Sequence, residues 1–174
     1  GVENAFTQIG HGGFASTAAA ANASISVLFS SAGAVQLNGG SGIGAYSQIG
    51  HGGRSVTATR AGEIRLEGHS AGGTAGAISL QGGSVLDTYA QIGHGGRGGS
   101  GATQGGIRVR SSGLVSVLGG TSDDTYAQIG HGGHENRASH GNAGDDLVVI
   151  ADGGITLLAG DTNGNGGTNV TYGA

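Results

Sequence analysis

Residues 125–133 read TYAQIGHGG, and close copies stand upstream as FTQIGHGG at 6–13, YSQIGHGG at 46–53 and YAQIGHGG at 89–96. Nearly everything between the copies drifts. An active site needs its residues once, so a phrase kept four times argues for a structural use in which each copy gains from its neighbours. The copies begin 40, 43 and 37 residues apart, inside the window where internal repeats mean solenoids or propellers.

Two short alternating segments follow each copy. The first reads ISV at 25–27, IRL at 64–66, IRV at 107–109 and LVV at 147–149; the second reads VQL at 35–37, ISL at 78–80, VSV at 115–117 and ITL at 155–157. Period two with β-branched residues and glycine punctuation is a strand signal, so each repeat holds three strands. From the second segment to the Ile of the next phrase the distance is 14 residues in every measurable case, while the other two connections vary. Insertions that bulge at two corners of a fixed cross-section leave this pattern.

Three strands per repeat, stacked repeat on repeat, predict an all-β fold: a parallel β-helix (β-solenoid) of about four coils with one repeat of 37–46 residues per coil. It is expected to be right-handed, by the general chirality of parallel crossovers. A propeller competes less well, because its blades want four antiparallel strands and usually more copies. The whole chain, 1–174, then forms one segment with repeats at approximately 4–43, 44–86, 87–123 and 124–169, and residues 170–174 beginning a fifth.

Stacking turns a recurring letter into a column. Ile9, Ile49, Ile92 and Ile129 are expected to form an inward aliphatic column. Gln8, Gln48, Gln91 and Gln128 are expected to form an amide ladder, each donating to the next. Phe6, Tyr46, Tyr89, Tyr126 and Tyr172 give an aromatic column, and Gly-His-Gly-Gly a corner with positive φ. The column His11, His51, His94 and His131 has two readings. One is transition-metal binding or pH sensing; the favoured one is a hydrogen bond from ring to backbone carbonyl at the corner. A single file brings at most two nitrogens to one ion unless a carboxylate or thiolate helps.

Composition narrows the function. Glycine supplies 42 of 174 residues, proline and Gly-X-Y periodicity are absent, and the apolar residues are too regularly placed for a disordered linker. There is no Cys, so disulfides and thiolate chemistry are excluded. A net charge of −4 with seven scattered arginines and no lysine offers no stripe for nucleic acid. No apolar run approaches a membrane span, so no membrane insertion is expected. No clustered carboxylates with a basic partner can be assembled from the spacing, which argues against an enzyme, and no cofactor is implied.

Three minor sites are legible. Asp161, Asn163 and Asn165 match the opening of a calcium loop but lack the closing Glu, so a polar turn is the stronger reading. Asn22 and Asn169 begin N-glycosylation sequons. Glu67 is expected beside Arg110 of the adjacent coil, as a solvated pair on the surface.

The phrase YAQIGHGG together with GGIRVRSSGLVSVLGG at 105–120 resembles the repeat regions of filamentous haemagglutinin-like giant bacterial surface proteins, which are secreted by the two-partner route. All four repeats carry both elements. The resemblance implies an extracellular β-helical fibre at the cell surface, used as an adhesion or biofilm scaffold. Its partner would be further repeats of the same chain, or a second copy stacked end to end. An initial Met is missing and the last residues read like a phrase begun, which is the expectation for a processed product or an excerpt. The alternative is an adhesin module whose variable segments, 14–23, 97–104 and 134–144, grip a surface glycan. An ice-binding face would need regular threonine columns, which are not there.

Overall fold

The computed structural model describes residues 1–17, 22–30, 33–69, 76–160 and 170–172. Among the described residues fifteen strands fall into four coils. The first coil holds β1 (Phe6–Ile9), β2 (Ile25–Ser30) and β3 (Val35–Asn38). The second holds β4 (Tyr46–Ile49), β5 (Arg60–Ala61), β6 (Ile64–His69) and β7 (Ile78–Gln81). The third holds β8 (Tyr89–Ile92), β9 (Thr103–Gln104), β10 (Ile107–Ser111) and β11 (Val115–Leu118). The fourth holds β12 (Tyr126–Ile129), β13 (Leu147–Ala151), β14 (Ile155–Leu158) and β15 (Val170–Tyr172). Among the described residues there is no helix.

Equivalent strands of successive coils pair in parallel. The first sheet runs β1-β4-β8-β12, the second β2-β6-β10-β13, and the third β3-β7-β11-β14 with β15 beyond it. Register follows the phrase: Phe6 pairs with Tyr46, Tyr46 with Tyr89 and Tyr89 with Tyr126, and the Gln and Ile positions follow in step. This is a β-solenoid with three main strands per coil, as the spacings predict. Each repeat opens on a residue in the left-handed region: Asn4, Gly44, Asp87 and Asp124 have φ of 55°, 72°, 66° and 58°. Asn, Asp and Gly tolerate that conformation best, which places a tight turn just before every phrase.

Alternation along the strands assembles one aliphatic core. In β7 and β10 every second side chain is buried. Ile49 and Ile92 from the first sheet meet Ile64, Leu66, Ile107 and Val109 from the second and Ile78, Leu80 and Val115 from the third. β8 breaks the alternation, since all four of its residues are buried. Both faces of the first sheet are therefore covered. The outer cover is the excursion that follows each phrase, and it contains a small sheet of its own, β5 against β9, extended by a bridge from Thr103 to His140. The sequence reading did not anticipate this layer.

The expected fifth repeat at 170–174 is not seen in the pairing. Val170–Tyr172 run antiparallel to β14, with Tyr172 opposite Ile155. Tyr172 thus belongs to the third sheet and stands outside the aromatic column. An exposed strand edge is a row of unpaired donors and acceptors, and β15 satisfies that edge of β14 by folding back on it.

Candidate functional site: a polar core built by the phrase

Successive residues of a strand face opposite sides. Ala90 and Ile92 of β8 join the aliphatic cluster, so Tyr89 and Gln91 point the other way, beneath the excursion. There Tyr89, Gln91 and His94 are each fully buried, as are Thr103 and, at 1% exposure, Arg60. The phrase is therefore the wall of a second core, polar in character.

The aromatic column is a continuous stack. Ring centroids are 5.1 Å apart for Phe6–Tyr46, 4.7 Å for Tyr46–Tyr89 and 4.9 Å for Tyr89–Tyr126, with interplanar angles of 2–6°. The tip of each ring fills the space over the last glycine of its own phrase: a Cβ on Gly53, Gly96 or Gly133 would collide with the hydroxyl of Tyr46, Tyr89 or Tyr126. These hydroxyls have no partner at full hydrogen-bond geometry. Burial raises their pKa far above the ordinary phenol value, against which the backbone donors of Arg54, Arg97 and His134 act only weakly.

The glutamines do not donate to one another, and the expected amide ladder is corrected accordingly. Gln48 Nε2 donates to the carbonyls of Gly93 and Gly95, both at 2.7 Å, and Gln91 Nε2 to those of Gly130 and Gly132 at 2.9 and 2.7 Å. Gln8 does the same toward Gly50 and Gly52. Each amide thus clamps the glycine corner of the following coil. Glycine carbonyls turned inward at that corner are nearer and better aligned acceptors than a side-chain amide one coil away. In the last coil, Gln128 turns to the carbonyl of His131 in its own corner, 3.0 Å away.

The histidines clamp in the opposite direction. The backbone N–H of His11, His51 and His94 donates to Nδ1 of His51, His94 and His131 at 3.0, 3.0 and 3.1 Å. An Nδ1 that accepts leaves the proton on Nε2. Those Nε2 atoms lie 2.6 Å from the carbonyl of Ala23, 2.9 Å from Gly62 and 2.7 Å from Gly105. In His51, His94 and His131 both ring nitrogens are engaged with the preceding coil, and the one free lone pair, on Nδ1, already accepts a backbone N–H. Among the described residues no group of three or more His, Asp or Glu gathers as a metal site.

This hydrogen-bond pattern requires neutral rings, and the environment favours them. Burial lowers the pKa of His51, with the neighbouring charges of His11 and Arg60 acting the same way against the Ala23 carbonyl. Burial holds His94 down to about 4, with His131, His51 and Arg60 also lowering it. His131 is lowered by burial and His140, against Gly105 and Asp145. The rings stack at 4.9–5.0 Å, with interplanar angles of 3° and 9° in the inner pairs and 41° between His11 and His51.

A charged ladder flanks this core. Asp87 lies 3.0 Å from Arg54 and 2.7 Å from Arg97, which also reaches Glu135 at 3.1 Å and Asp124 at 3.7 Å. Gly44 lacks the side chain that Asn4, Asp87 and Asp124 carry at the same offset, and the Arg54 guanidinium occupies that space and bonds Asn4. Sequence reasoning missed the ladder, although its signal is a fixed offset: the residue after each phrase and the residue two before it.

Of the remaining sites, Glu67 pairs in backbone register with Arg110, but its carboxylate contacts Arg65 at 2.8 Å and Arg108 at 3.8 Å. Along a strand the residue two positions away shares its face, and Arg65 is nearer than the expected partner. Asn22 is exposed beside the excursion of the first coil. Asp161, Asn163, Asn165 and Asn169 lie outside the described residues.

Comparison with known proteins finds no matching family model, no similar curated protein and no similar solved structure.

Proposed function

We propose that this chain is a rigid segment of an extracellular bacterial surface fibre, a scaffold for adhesion or biofilm, in which the load is carried from coil to coil along the solenoid axis. One observation carries the reading: Gln side chains bond the coil that follows and His side chains the coil that precedes, at every interior seam. Clamped in both directions, neither the second nor the third coil can slip without breaking buried bonds on two sides. Rigidity along one axis is what a fibre needs. The cell-surface setting comes from the resemblance of the phrase and its following strands to haemagglutinin-like repeats.

Small-angle scattering and negative-stain imaging of the purified chain test this. A rigid particle only about 19 Å along its axis, four coils rising about 4.8 Å each, with dimensions that do not change with ionic strength and with resistance to protease throughout the phrases, is the expected result. A globule that expands and collapses with ionic strength, or rapid cleavage within the phrases, would sink it. The glycan-binding alternative has less support, because Thr103 within the segment 97–104 is buried as part of the roof over the polar core. Binding of the folded chain on a glycan array would revive it.

A further inference from the structure

The solenoid has three lateral faces, and they differ in what they present. The first sheet is roofed by the excursions. The second carries Arg65, Glu67, Arg108 and Arg110 at outward positions of β6 and β10. The third, whose outward residues are half-buried to exposed, holds no charge. Val35 and Leu37, Ile78 and Leu80, Val115 and Val117, and Ile155 join the aliphatic cluster, so the residues that alternate with them face out. In register across the four coils, one outward column reads Gln36, Ser79, Ser116, Thr156 and the other Asn38, Gln81, Leu118, Leu158. None of the seven arginines and eleven acids of the chain stands in β3, β7, β11 or β14. Leu114, one residue before β11, is 41% exposed beside them.

An uncharged sheet face that carries leucines packs well against another sheet about 10 Å away. The relief of this face selects the partner. In the second, third and fourth coils a small residue is followed on the same face by a larger one: Ser79 by Gln81, Ser116 by Leu118, Thr156 by Leu158. A furrow and a ridge therefore run side by side along the solenoid axis. Gln81 is fixed in the ridge, its Nε2 donating to the carbonyls of Gly82 and Gly119 at 3.3 and 3.0 Å. A two-fold axis parallel to the solenoid and between the columns sets furrow against ridge in each of these coils. A two-fold across the solenoid sets Ser79 on Ser116 and Gln81 on Leu118 instead. Small then meets small and large meets large, with a gap in one column and a collision in the other.

The geometry points to a side-by-side dimer of this chain through the third sheet, with both copies running in the same direction and each coil meeting its counterpart. Ser79 lies on Gln81 of the other copy, Ser116 on Leu118 and Thr156 on Leu158, and symmetry makes each contact twice. In the first coil Gln36 meets Asn38, amide to amide. Leu114 arrives over the glycine corner, Gly119 and Gly120, of the facing coil. No charged side chain of these strands is buried by the contact. Four strands about 4.8 Å apart, with about 20 Å of chain in each, offer roughly 400 Å2 per copy. That is the scale of a weak, reversible association. The dimer names a lateral partner for the scaffold proposed above, and it rests on that reading only for this setting.

Wild type is expected to dimerise with a Kd above about 10 μM, so full-length chains are compared by sedimentation equilibrium and small-angle scattering up to about 1 mM. Ser116→Arg sets a guanidinium against Leu118 and is expected to weaken association at least about tenfold, because a cation is buried without a partner. Val148→Arg makes the corresponding change on the outward face of β13 and is expected to leave association unchanged. Circular dichroism and the unfolding midpoint establish that both variants fold. The chain has no cysteine, so a second arm reads the register directly. Ser116→Cys and Leu118→Cys chains, mixed and oxidised, are expected to cross-link at least about threefold faster than Ser116→Cys with Asn38→Cys, which lie two coils out of step. A wild type that is monomeric throughout the range overturns the proposal. So do oligomers indifferent to Ser116→Arg, as copies joined at their ends would be, and cross-linking that ignores register. In each of those cases a rigid particle in scattering leaves the scaffold reading standing, whereas register-specific dimers of a chain whose dimensions change with ionic strength keep this contact and sink that reading.

Discussion

Two cores run side by side along this molecule, share the first sheet as a wall, and obey different rules. In the aliphatic core the letters of the second sheet drift, although the Ile of the phrase does not: one column reads Ile25, Ile64, Ile107, Leu147 and another Val27, Leu66, Val109, Val149. Burial of apolar area has no direction, so any side chain of roughly the right volume serves. In the polar core Gln, Gly and His recur unchanged in all four coils. A side chain that must reach two carbonyls in the neighbouring coil, or accept one N–H while donating to a carbonyl, has no substitute of the same shape. The polar letters of the phrase are constant because directional bonds fix both the residue and its place.

The sharpest way to break the polar core is through its backbone. A Cβ on Gly93 would fall on the carbonyl oxygen of Gly130, at a φ of +156°, and neither strand can retreat without breaking its ladder. Gly93→Ala is expected to cost more than about 4 kcal/mol in urea unfolding. Gly141→Ala meets nothing within 4 Å at a φ of +76° and should lose only the left-handed strain, about 1–2 kcal/mol.

Next in size is the amide. Gln91→Leu keeps the bulk but strands the carbonyls of Gly130 and Gly132, at about 1–3 kcal/mol for each group left unpaired. The unfolding midpoint should fall far more than for Ile92→Val in the wall's other face, which removes one methylene at about 0.5–1.5 kcal/mol. Equal losses in the two variants would erase the distinction between the cores.

Mild acid should act on the polar core and spare the aliphatic one. Above the ordinary imidazole value of 6.5 His94 is neutral whether folded or unfolded, and stability is full. As pH falls below 6.5 the unfolded chain takes up a proton that the folded ring, held to about 4, refuses. Stability therefore declines through that window, by on the order of 3 kcal/mol for His94, with His51 and His131 shifted in the same direction. Urea midpoints measured across this pH range should slope downward in wild type, and less steeply in His94→Asn, whose amide oxygen accepts the His51 N–H without titrating. Identical slopes would remove His94 from the account.

The smallest effect is expected at the tyrosine hydroxyl. Tyr89→Phe removes a group with no partner at full hydrogen-bond geometry and reproduces the Phe6 already present in the first coil. Its midpoint should move by less than about 0.5 kcal/mol equivalent. A large loss would mean that the hydroxyl, and not the ring stack, holds the column.

Much of the fold was legible because like letters recur at spacings that only stacking explains, and the strands at 25–30, 64–69 and 107–111 show period two plainly. The excursion strands β5 and β9 were not. Arg60–Ala61 and Thr103–Gln104 are two residues long, alternate in no visible way, and exist only because the column above and below them does. The glutamine's acceptors were illegible for a related reason. Its letter says that an amide is needed, but the choice between another amide and a glycine carbonyl depends on which lies within about 3 Å.

The sequence by itself determined the coil number, the three-strand cross-section and the register, since a one-residue slip would carry every Ile of the phrase off the aliphatic face. Only the tertiary structure decided that the first sheet is buried on both sides. That outcome depends on how the segment after each phrase folds back, and its path is set by the contacts of neighbouring coils with one another, which a single repeat does not contain.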